Sequence, residues 1–277
     1  MDRISAMLNT FNGGEKLKRC LESVAWADEI VVIDSGSRDG SQELAKKFTD
    51  KVYDNKWPGY KAQREFGMER CSGEWILILD QDEYVTPELR DKLKEIAANS
   101  EQHRRYNAVW IHRLEHFWGK RIRYGNYNPS YQPRMAWRGK CTWTGSAHTF
   151  LVVEGGEDAI LRVHDGLWHD AYNTPNDYFS KINYYSEFDA KDRLEQGRRP
   201  GLWHVMLSPL GMWWKCYVVH RGFRDGGHGL MNATAMAVYW FFRLSKVWHA
   251  RWLEKNKKDT WEDYLKGSEL HTESRKP

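Results

Sequence analysis

The chain has 277 residues, 41 % hydrophobic and 29 % charged, with a net charge of +4. That is enough to bury a core without a disulfide or metal staple, and the composition excludes disordered, collagen-like and coiled-coil proteins. Tryptophan stands apart: 15 Trp beside 14 Tyr suit a surface that stacks on sugars or rests at a membrane interface.

Residues 1–10 carry no basic stretch followed by an apolar core, so the chain is expected to stay in the cytoplasm. Cys20, Cys71, Cys141 and Cys216 agree, being too scattered for a CxxC pair. Residues 3–8 and 29–33 are β-prone and flank a helix at 15–23, where Leu17, Cys20 and Leu21 recur at helical spacing. Helices at 40–48 and 60–70, alternating with strands at 51–53 and 75–79, repeat the unit and predict an α/β fold with a parallel sheet. Thr86 then caps a helix that carries Pro87 in its first position and runs to 99. From 108 to 169 the text turns to short strands broken by Gly and Pro, a mixed sheet expected to form the second half of a site. Helical text follows at 178–195, with apolar stretches at 202–219 and 230–244. The domain expectation is a catalytic domain at 1–175, with a nucleotide-binding half (1–100) and an acceptor half (101–175), then a helical region at 176–277.

In open α/β sheets a ligand sits beyond the carboxyl ends of the strands. The residues there are consistently polar: Asn9, Thr10 and Asn12 after the first strand, Asp34 to Asp39 after the second, and Asp80, Gln81, Asp82 and Glu83 after the WILIL strand. Two carboxylates on a tight turn suit Mn²⁺ or Mg²⁺, which share their remaining positions with phosphate oxygens. Such a metal offsets the charge that builds on a departing nucleoside diphosphate. A solvated turn leading into the Thr86 helix is the plainer alternative. Asp34 can accept hydrogen bonds from a base or ribose, whereas Asp39 serves equally well as a helix cap.

The segments TFNGGEKLKRCLESV, WADEIVVIDSGSRDGS, VYDNKWPGYKAQREF, GEWILILDQDEYVTPELR, GKRIRYGNYNPSYQPR and HDAYNTPNDYFSKINYYS resemble bacterial family 2 glycosyltransferases of the lipopolysaccharide inner-core β-glucosyltransferase type. The resemblance covers about residues 3–250. It implies a GT-A type, Rossmann-like nucleotide-sugar domain, a donor such as UDP-glucose, a divalent metal and inversion at the anomeric carbon. By position it implies that Thr10 and Asn12 lie near the base, that Asp34 binds base or ribose, and that Gln63 and Arg64 approach the diphosphate. Asp80 and Asp82 match the metal-binding pair, with Asp82 the ligand and Asp80 on ribose or metal water. DQDE stands where DADE is commoner, a change at Gln81 that should be tolerated. His169 matches a position that could complete the metal shell, or it is a hydrogen-bonded structural histidine. Arg134 matches an arginine on donor phosphate or acceptor, or forms a surface ion pair.

Inverting transfer needs a general base for the acceptor hydroxyl. Where the family reads His-Glu this chain reads His148-Thr149, so the expected carboxylate is missing. Three solutions stay open: another acid (Asp158, Glu157 or Asp170), His148 itself, or an acceptor that is already ionised, such as a polyprenyl phosphate. A catalytically silent nucleotide-sugar binding protein is a further alternative.

Residues 201–258 carry nine Lys or Arg against two acids, and Trp203, Trp213, Trp214, Trp240, Trp248 and Trp252 alternate with cations. This composition suits helices lying on an anionic membrane, which predicts a peripheral protein at the inner face of the plasma membrane acting on a lipid-linked saccharide. Low overall charge and the lack of a nucleic-acid motif argue against nucleic acid.

Overall fold

The computed structural model describes residues 2–99, 103, 105–127, 129–145, 149–256, 258, 260 and 263. In chain order the main elements are β1 (Ile4–Thr10), α1 (Gly14–Ser23), β2 (Glu29–Asp34), α2 (Ser41–Ala45), β3 (Val52–Asp54), α3 (Tyr60–Met68), β4 (Trp75–Asp80), β5 (Glu83–Val85), α4 (Pro87–Ala98) and β6 (Ala108–Phe117). They continue with β7 (Lys120–Arg121), β8 (Tyr131–Trp137), β9 (Cys141–Thr144), β10 (Phe150–Val153), β11 (Ile160–Tyr172), α5 (Pro175–Glu195), α6 (Leu202–Trp214) and α7 (Gly227–Lys255). The chain divides into one unit of Met1–Glu115 with Pro129–Ala171 and a second of His116–Asn128 with Tyr172–Pro277.

The first unit is α/β, as the alternation predicts. Apolar runs without a polar face become its central strands: β1, β2 and β4 are buried along nearly their whole length, as parallel strands covered on both faces must be. The parallel half runs β3-β2-β1-β4, with Thr10 paired to Asp34 and Asn9 to Asp80. Those pairs bring the three strand ends level, so the loops after β1, β2 and β4 open on one edge. Past β4 the sheet continues β8-β6-β11-β5, with β8 antiparallel to β4 and β5 antiparallel to β11. β5 is absent from the sequence expectations because a three-residue strand carries no periodicity; its pairing of Glu83 with His169 closes the edge around the acidic turn.

The helices follow their apolar spacing. α1 buries Leu17, Cys20 and Leu21, and α4 buries Leu89, Leu93 and Ile96 behind Thr86, whose Oγ1 accepts from Leu89 N at 3.2 Å. The helix expected over 40–48 is shorter, Ser41–Ala45.

In the second unit α5 starts on a reciprocal capping box between Thr174 and Asp177. Phe117 and Ile122 share an apolar cluster with Tyr178, Ile182 and Ala235, which is why residues 116–128 group with the C-terminal helices rather than with the expected acceptor half. The Asp225 carboxylate binds the same segment, accepting from the backbone N–H groups of Arg123 and Tyr124 at 3.1 and 2.9 Å. No helix among the described residues is long and apolar enough to cross a membrane.

Candidate active site

The three level strand ends are knitted by short polar side chains. The Asp34 Oδ2 accepts from Gly36 N (2.9 Å), Ser37 N (2.8 Å) and Gln42 Nε2 (2.8 Å), and Oδ1 accepts from Ser37 Oγ at 2.5 Å. Asp34 therefore shapes its own loop. Asn12 adopts a left-handed backbone (φ 47°), which lets its N–H donate to Ser37 Oγ and its Oδ1 accept from Arg38 N, at 2.8 and 2.9 Å. Asp39 Oδ1 accepts from Ser41 N and Oγ at 3.1 and 2.6 Å ahead of α2, whose N-cap is Gly40 rather than Asp39.

Gln81 ties the first loop to the acidic turn. Its Oε1 accepts from Thr10 Oγ1 (2.6 Å) and Phe11 N (2.9 Å) while its Nε2 donates to Phe11 O (3.1 Å). Gly13 is needed beside it, since a Cβ there would lie 2.7 Å from Gln81 Oε1 and from Thr10 Oγ1. Sequence inspection treats Gln81 as a neutral filler, because a lone glutamine shows nothing of a two-way amide bond to a distant backbone.

Cations gather around Asp80. Buried Arg134 donates from Nη2 to Asp80 Oδ2 at 2.9 Å and to Glu83 Oε1 at 2.7 Å, and Arg64 Nη2 lies 3.7 Å from Asp80 Oδ2. Burial alone would raise the Asp80 carboxyl, but Arg134 and Arg64, with His169 and Arg113, hold it below its ordinary value. Glu83 in turn accepts Arg134 and supports the turn by accepting from Asp80 N at 3.1 Å. Arg64 stacks over Trp143 at 4.4 Å from the ring centroid and donates to Thr149 Oγ1 at 2.6 Å. Gln63 is buried, accepting from Asn55 Nδ2 and donating to Ser35 Oγ, which places it under the β2 loop.

His169 faces Asp82. Its Nε2 lies 3.8 Å from Asp82 Oδ1, and its Nδ1 is 2.6 Å from Glu115 Oε2. Two bonds of about 2.1 Å to one cation span at most about 4.2 Å, so Asp82 and His169 are close enough to share one. A carboxylate fixing the far nitrogen of a histidine is the usual support for a metal-binding imidazole. Burial would raise Glu115, but His169 and Arg113 hold it below its ordinary value, so it accepts as a carboxylate. Among the described residues no three His, Cys, Asp or Glu side chains form a ready-made cage. The donor set thus fits a hard divalent cation that draws several ligands from a phosphate-bearing substrate and water.

The structure does not bring every candidate here. Asp158 and Glu157 are exposed in a short 3₁₀ turn just before Ile160, at the opposite end of β11, and Glu157 is paired to Arg162 at 2.7 Å. At about 3.3 Å per residue, β11 puts Ile160 roughly 30 Å from His169. Asp158 is therefore corrected from catalytic candidate to surface residue. Asp170 is at the site edge: its N–H donates to Asp82 O at 2.9 Å and its Oδ2 accepts from Tyr84 Oη at 3.1 Å. His148 lies outside the described residues.

Residues 5–152, just over half the chain, match the model of the glycosyl transferase family 2. The chain belongs to that family. A Rickettsia bellii protein named only as an uncharacterized glycosyltransferase is 30 % identical over 256 residues, covering 88 % of this chain and 86 % of its own. The lipopolysaccharide core biosynthesis glycosyltransferase LpsC of Rhizobium meliloti is 28 % identical over 254 residues, covering 88 % of this chain and 92 % of its own. Among solved structures, glucosyl-3-phosphoglycerate synthase from Mycobacterium tuberculosis superposes with a TM-score of 0.50 at 18 % identity, covering 72 % of this chain and 82 % of that one. The family 2 chain thus shares the GT-A fold.

Proposed function

We propose that this chain is a divalent-metal-dependent, inverting glycosyltransferase that moves a hexose, glucose in the first instance, from a UDP-sugar to a lipid-linked or lipopolysaccharide-core saccharide at the inner membrane face. The observation that carries it is the acidic turn 80–82 set between Arg64, Arg134 and the Glu115-supported His169 at the carboxyl edge of the parallel strands. Nucleoside contacts belong to the loops of Thr10, Asn12 and Asp34, which the hydrogen bonds above hold in shape before any donor arrives.

Asp82 and His169 would hold the metal, which supplies charge neutralisation to a leaving diphosphate. Arg64 offers a second positive charge nearby, and Arg134 keeps Asp80 ionised and aimed. As the acceptor oxygen bonds to the anomeric carbon, the bond from that carbon to UDP breaks and the acceptor proton passes to a base. Of the three acids weighed from the sequence, Asp170 is the one whose backbone meets Asp82, and its carboxylate, which accepts from Tyr84 Oη, is assigned that role. A phosphate acceptor is the second reading, favoured by one contact: Thr149, standing where the family places a carboxylate, is occupied by Arg64. In that version the acceptor arrives ionised and Asp170→Asn leaves transfer unchanged.

The test is thermal stabilisation by a panel of nucleotide sugars with and without Mn²⁺, followed by UDP release. The expected result is a Mn²⁺-dependent shift with one UDP-sugar, absent in Asp82→Asn, together with a loss of transfer on the order of 10²–10³-fold or more in that variant. Full activity in Asp82→Asn, or UDP binding with no turnover toward any acceptor or water, overturns the metal mechanism or the enzyme respectively.

A further inference from the structure

We infer that α6 is an in-plane membrane anchor, a monotopic helix whose outer face enters the headgroup region of an anionic leaflet. Leu202–Trp214 contains no charged residue, yet Leu202, Trp203, Met206, Leu207, Leu210 and Trp214 are all exposed, Trp203 by 76 % and Leu210 by 65 %. At 100° per residue these six cover an arc of about 140° on one side. The opposite side is already used: Val205 and Pro209 are buried and Met212 packs with Ala233 and Met236 of α7, while Trp213, at the margin of the exposed arc, packs in the same cluster and donates from Nε1 to Thr234 Oγ1 at 3.2 Å. Val219 and Phe223, 60 % and 49 % exposed, extend the apolar surface beyond the helix. At about 20 Å long the helix is too short to span a bilayer, and its apolar face is the kind that lies along one.

Charge selects the occupant. From residue 196 to 224 there is no Asp or Glu, and Arg198, Arg199, Lys215, Arg221 and Arg224 are all exposed at the two ends of the apolar face. None of these five makes an ion pair among the described residues; Arg224 lies over the Tyr124 ring at 5.4 Å. Cations without ion-pair partners at both ends of a row of exposed Trp and Leu match lipid phosphates above acyl chains. Three of the four cations of α7, by contrast, are engaged internally: Arg243 with Asp189 and Trp240, Lys246 with Asn183, Ser186 and Glu187, and Arg251 with Glu254 and the carbonyl of Leu194, leaving Lys255 exposed at the last residue of the helix. The membrane contact expected across the whole Trp-rich tail therefore narrows to α6 and the turn after it.

This inference deepens the proposed membrane setting, and its test is independent of the donor site. The full chain is floated with phosphatidylglycerol-containing vesicles and with neutral phosphatidylcholine vesicles. Binding is expected to the anionic vesicles, with tryptophan fluorescence quenched by brominated lipid, falling at least about tenfold in Leu207→Gln/Leu210→Gln. In Arg198→Gln/Arg199→Gln it falls about fivefold per cation removed and becomes less salt-sensitive, the three remaining cations keeping part of the dependence. Both variants change only exposed side chains, so circular dichroism and Mn²⁺-dependent stabilisation by the donor stay as in the parent. Three results each overturn the anchor: no vesicle binding, equal binding by Leu207→Gln/Leu210→Gln, or a dimer in solution that this variant dissolves, which would make the face an interface between copies. Loss of donor stabilisation in the parent chain would instead strike the proposed activity and leave the anchor standing.

Discussion

Gln81 illustrates how much of this site depends on single side chains away from the reacting atoms. Its amide answers both the N–H and the C=O of Phe11 and accepts from Thr10, so Gln81→Ala leaves a backbone pair and a hydroxyl without partners. The expected cost is about 1–3 kcal/mol, seen as a Tm lower by roughly 2–8 °C, with KM for the donor raised more than kcat is lowered. Glu115 makes a second case. Glu115→Gln keeps the size of the side chain but loses the charge that steadies His169, and Mn²⁺ titration in the presence of UDP should show affinity reduced about 10–100-fold. The placement of Asp34, Asp80 and Asp82 at or just beyond strand ends was legible in the sequence, because apolar strands stop where these acids begin. Glu115 and Gln81 were not: one lies on a strand 33 residues beyond Asp82, and the other looks like a spacer. For Arg134 the sequence left a donor or acceptor contact and a surface ion pair equally open, and its burial between Asp80 and Glu83 is a fact of tertiary packing.

At the scale of elements, Glu29 fastens the lower end of the parallel strands. Its carboxylate accepts from Ser5 Oγ and Lys51 Nζ and from Ser72 N (2.7 Å) and Oγ (3.0 Å), joining β1, the approach to β3 and the turn before β4. Burial on its own would raise this carboxyl, yet the bonds from Lys51, Ser5 and Ser72 outweigh it and pull it from 4.5 to about 2. A carboxyl lowered in the folded state stabilises the fold above its unfolded pKa, and that contribution is lost as pH falls from about 4.5 toward 2. Urea midpoints measured across that range should decline in the parent chain and decline less steeply in Glu29→Gln, which starts from a lower midpoint. Continuous apolar runs made the buried strands and the amphipathic helices easy to place from sequence. Short elements were uneven: the strand expected at 51–53 is β3, yet the three-residue β5 was missed and the helix expected at 40–48 stops at Ala45, because local pattern says little about where a brief helix ends.

For the molecule as a whole, the two compact units do not follow the chain in order, since the second takes in residues 116–128. A change from mixed strands to helical text near 175 marks one boundary, but nothing in residues 116–128 announces that Phe117 and Ile122 belong with Tyr178, Ile182 and Ala235. A chain cut after Ala171 would expose those two side chains and leave Arg123 and Tyr124 without the Asp225 carboxylate. Its expression should give aggregated protein, while the same truncation carrying Phe117→Ser and Ile122→Ser should be more soluble; a soluble, monomeric 1–171 chain without those changes would show that the segment needs no helical partner. The same arrangement sets a timetable for birth on the ribosome. Ile122 leaves the tunnel 113 residues ahead of Ala235, a wait on the order of 6–20 s at ordinary rates of translation. During that interval β8 to β11 emerge, so the first unit gathers all its strands while the β6–β7 hairpin still holds Phe117 and Ile122 without their helical partners, and a chaperone that shields those two side chains has its natural moment there.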